Sequence, residues 1–277
     1  MEKTASVVSV EWLHDHLSDP NLVIIDCRYV LGNPDHGKLS YEASHIPGAI
    51  YLDLGHDLSG AKTQHGGRHP LPSVDEMVAL FSRCGIDQSV TVVAYDEQDI
   101  THAARLWWML RYLGHEKVTV LDGGYSAWQK AAYPVTAEIV TPTPKEFVPN
   151  VQAHMLVTID EVLSRHSDTV LIDSRAGERF RGEVETIDSK AGHIPGAVNY
   201  FFKENLDQNG LLRSSAELQD RFSAIADAPE VIVYCGSGVT ACVNLLSLEK
   251  AGRKDAKLYL GSWSDYCSRE LPVATGE

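Results

Sequence analysis

Positive charge is scarce in this chain. Its 277 residues carry 24 Lys and Arg against 38 Asp and Glu, a formal net charge of −14. A surface of that sign repels phosphate backbones and anionic headgroups, so neither a nucleic acid nor a membrane is expected as a partner. A small anionic substrate stays compatible, because a local arginine cluster overrides the global field. Long apolar runs are also missing, and none approaches the roughly 18 residues that a membrane span needs. Met1-Glu2-Lys3-Thr4 shows no basic region followed by an apolar one, so no signal peptide is expected. Cysteines are few, odd in number and scattered: Cys27, Cys84, Cys235, Cys242 and Cys267. They form neither a disulfide framework nor a metal-spaced pair, and a reducing cytoplasm fits that usage. The histidines include no HExxH or other paired spacing, so no metal is expected.

The chain repeats itself once. Leu22-Val23-Ile24-Ile25-Asp26-Cys27-Arg28 returns as Val170-Leu171-Ile172-Asp173-Ser174-Arg175. His45-Ile46-Pro47-Gly48-Ala49 returns as His193-Ile194-Pro195-Gly196-Ala197, and Val92 to Asp96 returns as Val231 to Cys235. Leu121-Asp122-Gly123 before Tyr133-Pro134-Val135 returns as Leu260-Gly261 before Leu271-Pro272-Val273. Collinear matches at a slowly drifting offset mean a duplicated domain of ordinary size. The copies read as residues 1–135 and 154–277. Residues 136–153, with Pro142, Pro144 and Pro149, read as a semi-extended linker along the surface.

Within the first copy, Val7 to Leu17 reads as a short helix with Ser9 as candidate N-cap. Strands are expected at Leu22 to Ile25, Ala49 to Leu52, Val90 to Tyr95 and Val118 to Leu121. Helices are expected at Val74 to Cys84 and His102 to Leu113. Continuous apolar strands between amphipathic helices imply an α/β fold in which each copy is a parallel sheet with helices on both faces. Loops at the carboxyl ends of such strands build sites.

One such loop stands out. The buried-strand pattern Val231-Ile232-Val233-Tyr234 runs into Cys235-Gly236-Ser237-Gly238-Val239-Thr240, and a helix follows to Gly252. A cysteine after an apolar strand is most often a small core residue. Here two glycines let backbone approach the sulfur, and the N–H groups that open a helix favour an anion, so the loop points to a reactive thiolate. In the first copy Asp96 stands at the cysteine position, followed by Glu97, Gln98 and Asp99 without a glycine. That loop is expected to be unable to cradle a thiolate or an anionic substrate.

The paired His-Ile-Pro-Gly-Ala segments, the Asp-x-Arg after the strand and the Cys-Gly-Ser-Gly-Val-Thr loop resemble the two-domain rhodanese-type sulfurtransferases over nearly the whole chain. The resemblance implies two tandem rhodanese-like domains, the first catalytically silent. It implies a Cys235 persulfide that takes a sulfane sulfur from an anionic donor and passes it to a small thiol, a thioredoxin-like protein or cyanide. No organic cofactor is implied, because the cysteine carries the sulfur. The neutral Gly236 and Ser237 are similar to the loop of the 3-mercaptopyruvate enzymes, while thiosulfate-preferring relatives carry basic residues there.

The same resemblance nominates the remaining site residues. Ser237 is a candidate proton relay, and Gly236, Gly238, Val239 and Thr240 form the cradle. Arg179, just before Phe180, and Arg181 after it are candidates for holding the donor. A second family arginine before the His-Ile-Pro-Gly segment is missing, with Lys190 as a stand-in. His69, in His69-Pro70-Leu71-Pro72, matches a family histidine. The acid paired with it falls at Gly55, so it is either missing or supplied by Asp53 or Asp57. Three other readings compete. A thiosulfate:cyanide sulfurtransferase uses the same cysteine. A non-catalytic persulfide carrier keeps Cys235 without turnover. A Cys-x5-Arg phosphatase needs an arginine where Ala241 stands.

Overall fold

The computed structural model describes residues 5–277. Met1 to Thr4, the stretch bearing on a signal peptide, lies outside them. The chain forms two compact units. One comprises the described residues up to Gly60, Pro72–Gln152 and Gln208–Leu211, and the other comprises Ala61–Leu71, Ala153–Asp207 and Leu212–Glu277.

In the first unit the elements are β1 (Val7–Val8), α1 (Val10–His16), β2 (Leu22–Asp26), α2 (His36–Ala43), β3 (Ala49–Tyr51), α3 (Val74–Arg83), β4 (Thr91–Tyr95), α4 (Thr101–Tyr112), β5 (Val118–Leu121) and α5 (Gly124–Lys130). They build a five-stranded sheet in the order β1-β5-β4-β2-β3, parallel throughout. The expected helix at Val7 to Leu17 is shorter than its pattern. Val7 and Val8 pair with Val120 and Leu121, and the helix starts only after Ser9, whose side chain accepts from the Trp12 N–H. Helix α3 opens with a reciprocal cap, Ser73 on the Glu76 N–H and Glu76 back on the Ser73 N–H. The core gathers Leu13, Ile24, Tyr41, Val93, Tyr95 and Trp128, all buried.

The expected linker has no regular structure over residues 137–152, yet it is pinned to the first unit. Lys145 N–H donates to the Ser82 carbonyl, Asn150 N–H to Leu113 and Gln152 N–H to Tyr112, and Phe147 is buried against Phe81.

The second unit repeats the plan with β6 (Leu156–Val157), α6 (Ile159–Leu163), β7 (Thr169–Asp173), α7 (Gly177–Phe180), β8 (Ala197–Asn199), α8 (Ser215–Arg221), β9 (Glu230–Tyr234), α9 (Ala241–Lys250), β10 (Lys257–Tyr259) and α10 (Ser262–Tyr266). Its sheet order is β6-β10-β9-β7-β8, again parallel. The central strand β9 pairs with β7 from Val231↔Val170 to Tyr234↔Asp173, so Cys235 leaves the sheet at its carboxyl edge. No helix among the described residues is long and apolar enough to cross a membrane.

Two acid–arginine pairs brace the two sheets in the same way. Asp173 takes Arg175 in a bidentate grip, with Nη2–Oδ2 at 2.6 Å, while Nη2 also donates to the Gly192 carbonyl. Asp26 and Arg28 do the same at 2.7 Å, with the second bond going to the Ser44 carbonyl. The histidines of the repeated turns are structural. His45 Nδ1 lies 2.6 Å from the Tyr41 carbonyl and His193 Nδ1 lies 2.8 Å from that of Phe180.

Candidate active site

Residues 235–240 connect β9 to α9. Cys235 is buried, its N–H donates to Ser262 Oγ at 3.1 Å, and Ser262 Oγ donates to the Tyr259 carbonyl at 2.9 Å. The Cys235 and Gly236 carbonyls accept from Trp263 and Ser264 N–H, both at 2.9 Å. The loop is thus tied from the outside to the turn that opens α10. Ser262 sits in the left-handed region at φ 57°, a strained conformation for a serine and one that aims its hydroxyl at the Cys235 amide.

Several amide groups of the loop take no backbone partner. Among the described residues, no backbone carbonyl accepts from the N–H groups of Gly236, Ser237, Val239, Thr240 or Ala241. Thr240 makes no side-chain cap, so the start of α9 adds its dipole without a competing oxygen. Gly238 adopts φ +74°, and a Cβ there would lie 2.3 Å from the Leu260 carbonyl oxygen. Only glycine lets the chain turn at this point.

Side chains converge on this loop. His69 Nδ1 lies 2.9 Å from Ser237 Oγ, and both residues are buried. Arg179 Nη1 lies 3.7 Å from where a Gly236 Cβ would be. Its other donors grip Glu185 at 2.8 Å and Asp188 at 3.2 Å. Arg68, unremarked in the sequence reading, comes closer still, with Nη2 at 3.0 Å from the same point, and it ion-pairs with Asp188. The only sequence signal for Arg68 is its place beside His69.

Two nominated residues are engaged elsewhere. Arg181 grips Glu183 at 2.8 Å on an exposed edge. Lys190 donates Nζ to the Arg269 carbonyl at 2.6 Å. The reason for the first is helical geometry: Arg179 and Arg181 are two residues apart, on opposite sides of a turn. Asp53 and Asp57 also have local duties. Asp53 Oδ1 accepts from Gly55 and His56 N–H, and Asp57 Oδ2 accepts from Asp53 N–H at 2.8 Å.

Burial pushes the Asp188 carboxyl up, with Glu185 adding to it, against the pull of Arg68 and Arg179. Burial acts on Glu185 in the same direction but is outweighed by the Asp188 N–H, Arg179 and the Ile187 N–H, so that carboxyl lies below its ordinary value.

The corresponding loop of the first unit is filled by its own acid, Asp96. The buried carboxylate accepts from the N–H groups of Ile100 at 3.0 Å, His102 at 2.8 Å and Ala103 at 3.2 Å. The expectation that this loop cannot cradle an anion is therefore refined. Its amides are disposed for one, and the side chain at the cysteine position occupies them. Burial, and then the Asp99 carboxylate, push the Asp96 carboxyl up to about 7 in spite of those three bonds. An unfolded Asp titrates near ~3.9, so the folded unit holds a proton that the unfolded chain has released. The stability due to Asp96 is complete below about pH 4 and is lost as pH rises through about 7. Asp96→Asn carries a constant penalty from turning an amide toward N–H donors, but it removes this slope. Its stability relative to the parent should rise between pH 5 and 8 in denaturant titrations, and a flat difference would refute the assignment.

Cys235 thus stands at the carboxyl edge of a parallel sheet, in a loop approached by the guanidinium groups of Arg68 and Arg179. The rhodanese-like domain family matches residues 9–131 and 158–269. A Pseudomonas aeruginosa protein named "Probable 3-mercaptopyruvate sulfurtransferase" is 41% identical over 99% of both chains. An Arabidopsis thaliana relative, "Thiosulfate/3-mercaptopyruvate sulfurtransferase 1, mitochondrial", is 34% identical over 98% of this chain and 78% of its own length. The crystal structure of the Escherichia coli 3-mercaptopyruvate enzyme superposes with a TM-score of 0.82 at 35% identity, covering 94% of this chain and 100% of that one. The chain belongs to the rhodanese family of sulfurtransferases, as a tandem-domain member.

Proposed function

We propose that this enzyme moves a sulfane sulfur from an anionic donor, 3-mercaptopyruvate in the first instance, through a persulfide on Cys235 to a thiol acceptor. The observation that carries the reading is the Cys235 loop itself, with amide donors that take no backbone partner among the described residues and with Arg179 and the Ser237–His69 pair beside it. The Cys235 thiolate attacks the donor sulfur, the carbon–sulfur bond breaks, and the electron pair leaves as the enolate of pyruvate. Ser237, backed by His69, is placed to deliver the proton that turns the enolate into pyruvate. The loop amides hold the negative charge of the bound persulfide. An acceptor thiolate, from a small thiol or a thioredoxin-like protein, then attacks the outer sulfur and regenerates Cys235. Cyanide would be consumed by the same attack, giving thiocyanate.

The first copy is silent in this reading because Asp96 stands where the sulfur carrier would be. Residues 1–135 then form the silent copy, 136–153 the linker and 154–277 the catalytic copy. All five cysteines are free thiols, which suits a cytoplasmic enzyme.

The test is to incubate the reduced protein with 3-mercaptopyruvate or thiosulfate, then read intact mass and sulfur release to an added thiol, with Cys235→Ser as control. A gain of one sulfur atom and turnover with 3-mercaptopyruvate, both lost in the variant, are expected. Loading by thiosulfate alone would move the donor assignment to thiosulfate. Loading that survives loss of Cys235 would end the persulfide account, and loading without turnover would leave a carrier.

A further inference from the structure

Arg179 on its own is a poor holder for a donor that carries a carboxylate or sulfonate. The expected second arginine is absent from the segment before His193, and Lys190 is spent on a backbone carbonyl. The structure supplies a cation from another part of the sequence. The segment Ala61–Leu71 packs within the second unit. It is fastened there by Gly66 N–H on Asp265 Oδ1 at 2.8 Å, Arg68 N–H on Ser264 Oγ at 3.1 Å and His65 Nδ1 against Ser268 Oγ at 2.8 Å. Gly67 has φ +86°, and a Cβ on it would lie 2.5 Å from the Gly261 carbonyl oxygen, so close backbone packing sets the position of the next residue.

That next residue is Arg68. Its Nη2 lies 3.0 Å from where a Gly236 Cβ would stand, against 3.7 Å for Arg179 Nη1. Its Nε is buried and has no hydrogen-bond partner among the described residues. Its guanidinium is held by one carboxylate, Asp188, which also bridges to Arg179 at 3.2 Å. Asp188 comes from the Glu183 to Lys190 stretch, which has no regular structure, and the neighbouring Val184 and Ile187 are solvent-exposed. A carboxylate that spans two arginines beside the nucleophile is what a donor carboxylate would also do. Such a buried ion-paired acid on an irregular segment is replaceable by a ligand of the same charge.

We infer that Arg68 is the second donor-binding cation of the Cys235 site, and that Asp188 occupies the Arg68–Arg179 pair until an anionic donor replaces it. The inference rests on the donor reading given above. It gives opposite signs for two substitutions. Arg68→Ala removes charge-assisted bonds to the donor, so its half-saturating concentration in single-turnover loading should rise about ten- to a hundred-fold. Arg68→Lys keeps a charge but loses the planar fork, and should fall between the two. Asp188→Asn removes the internal competitor, so the half-saturating concentration should drop, by about three- to ten-fold. Saturating rates should change less than these concentrations, because the nucleophile and its loop stay in place.

The experiment is single-turnover sulfur loading of the full chain against concentration of 3-mercaptopyruvate and of thiosulfate, with thermal unfolding of each variant alongside. If Arg68→Ala does not fold, the sign of the Asp188→Asn effect decides. Parent-like half-saturation in a folded Arg68→Ala overturns the inference, and so does an Asp188→Asn that weakens the donor. Parent protein that takes sulfur from neither donor overturns the donor reading, and this inference with it. A parent that loads while the variants leave its concentration dependence unchanged overturns this inference alone.

Discussion

Asp173→Ala should cost the second unit about 3–5 kcal/mol, the largest stability effect expected of any single substitution described above. Asp173 is fully buried, and its carboxylate accepts from the Arg175 backbone N–H at 2.9 Å, from Nε at 3.1 Å and from Nη2 at 2.6 Å. Arg175 is also buried, packed 4.7 Å from the Trp263 ring centroid and 3.6 Å from Glu185. Removing the acid leaves a guanidinium in low dielectric with the Gly192 carbonyl, one carboxylate at 3.6 Å and a ring face. Breaking such a pair costs far more than the pair is worth, because the surviving charge is desolvated without compensation. Against a total stability of about 5–15 kcal/mol, that is about a fifth or more of what holds a domain.

Urea titration of the full chain should show the transition of the second unit moved to lower denaturant. Asp26→Ala, which breaks the same geometry around Arg28, should move the other transition by a similar amount. A shift below about 1 kcal/mol for Asp173→Ala would mean that Glu185 and Trp263 suffice to hold the charge, and would refute the bracing role.

Gly238→Ala is expected to slow sulfur loading about a hundred-fold while the rest of the second unit stays folded. The conformational penalty alone, φ +74° for a residue with a Cβ, is about 1–2 kcal/mol. The contact is worse than the penalty. The new Cβ would stand 2.3 Å from a backbone oxygen, Leu260, which no rotamer change can move away. The loop must therefore shift as a body, and with it the backbone N–H groups of residues 236–241. Charge stabilisation by fixed donors depends on ångström-scale placement, so a displaced cradle loses rate before it loses fold. Gly252→Ala is the control. It also has positive φ, at +106°, but nothing lies within 4 Å of its Cβ. It should share the conformational cost and leave loading unchanged. Equal loading rates for Gly238→Ala and the parent would show that the cradle tolerates displacement, contrary to this account.

The parts of this protein that were legible in its sequence are those with short-range causes. The strand at Glu230–Tyr234 is legible because four consecutive apolar residues can be satisfied only by burial on both faces. The helix Ala241–Lys250 is legible because its apolar spacing and the glycine after it act within a few turns. The cysteine loop between them followed from two glycines and a helix start. The duplication needed only matching strings. Where local signals are weak the reading faltered. Two residues, Val7 and Val8, become a strand only because β5 is there to pair with them, which no local pattern encodes. Helices α2 and α5 carry no clear local signal, because each holds a glycine and His36–Ala43 lacks an apolar stripe.

The site divides along the same line. Sequence alone determined that Cys235 sits in a loop between a strand and a helix and that Asp96 stands at its position in the first copy, because both depend on bonded neighbours. Only the tertiary structure decided what surrounds them. Arg179 was separable from Arg181 only once a four-residue helix turned one toward the Cys235 loop and the other toward solvent. The Asp96 carboxyl fills its own loop because three N–H groups four to seven residues ahead fold back onto it. Arg68 lies far from Cys235 along the chain, and nothing local marks it as a partner of that loop. What brings them together is the packing of Gly67 against the Gly261 carbonyl, a contact between backbones, to which the order of side chains along the sequence gives no periodicity.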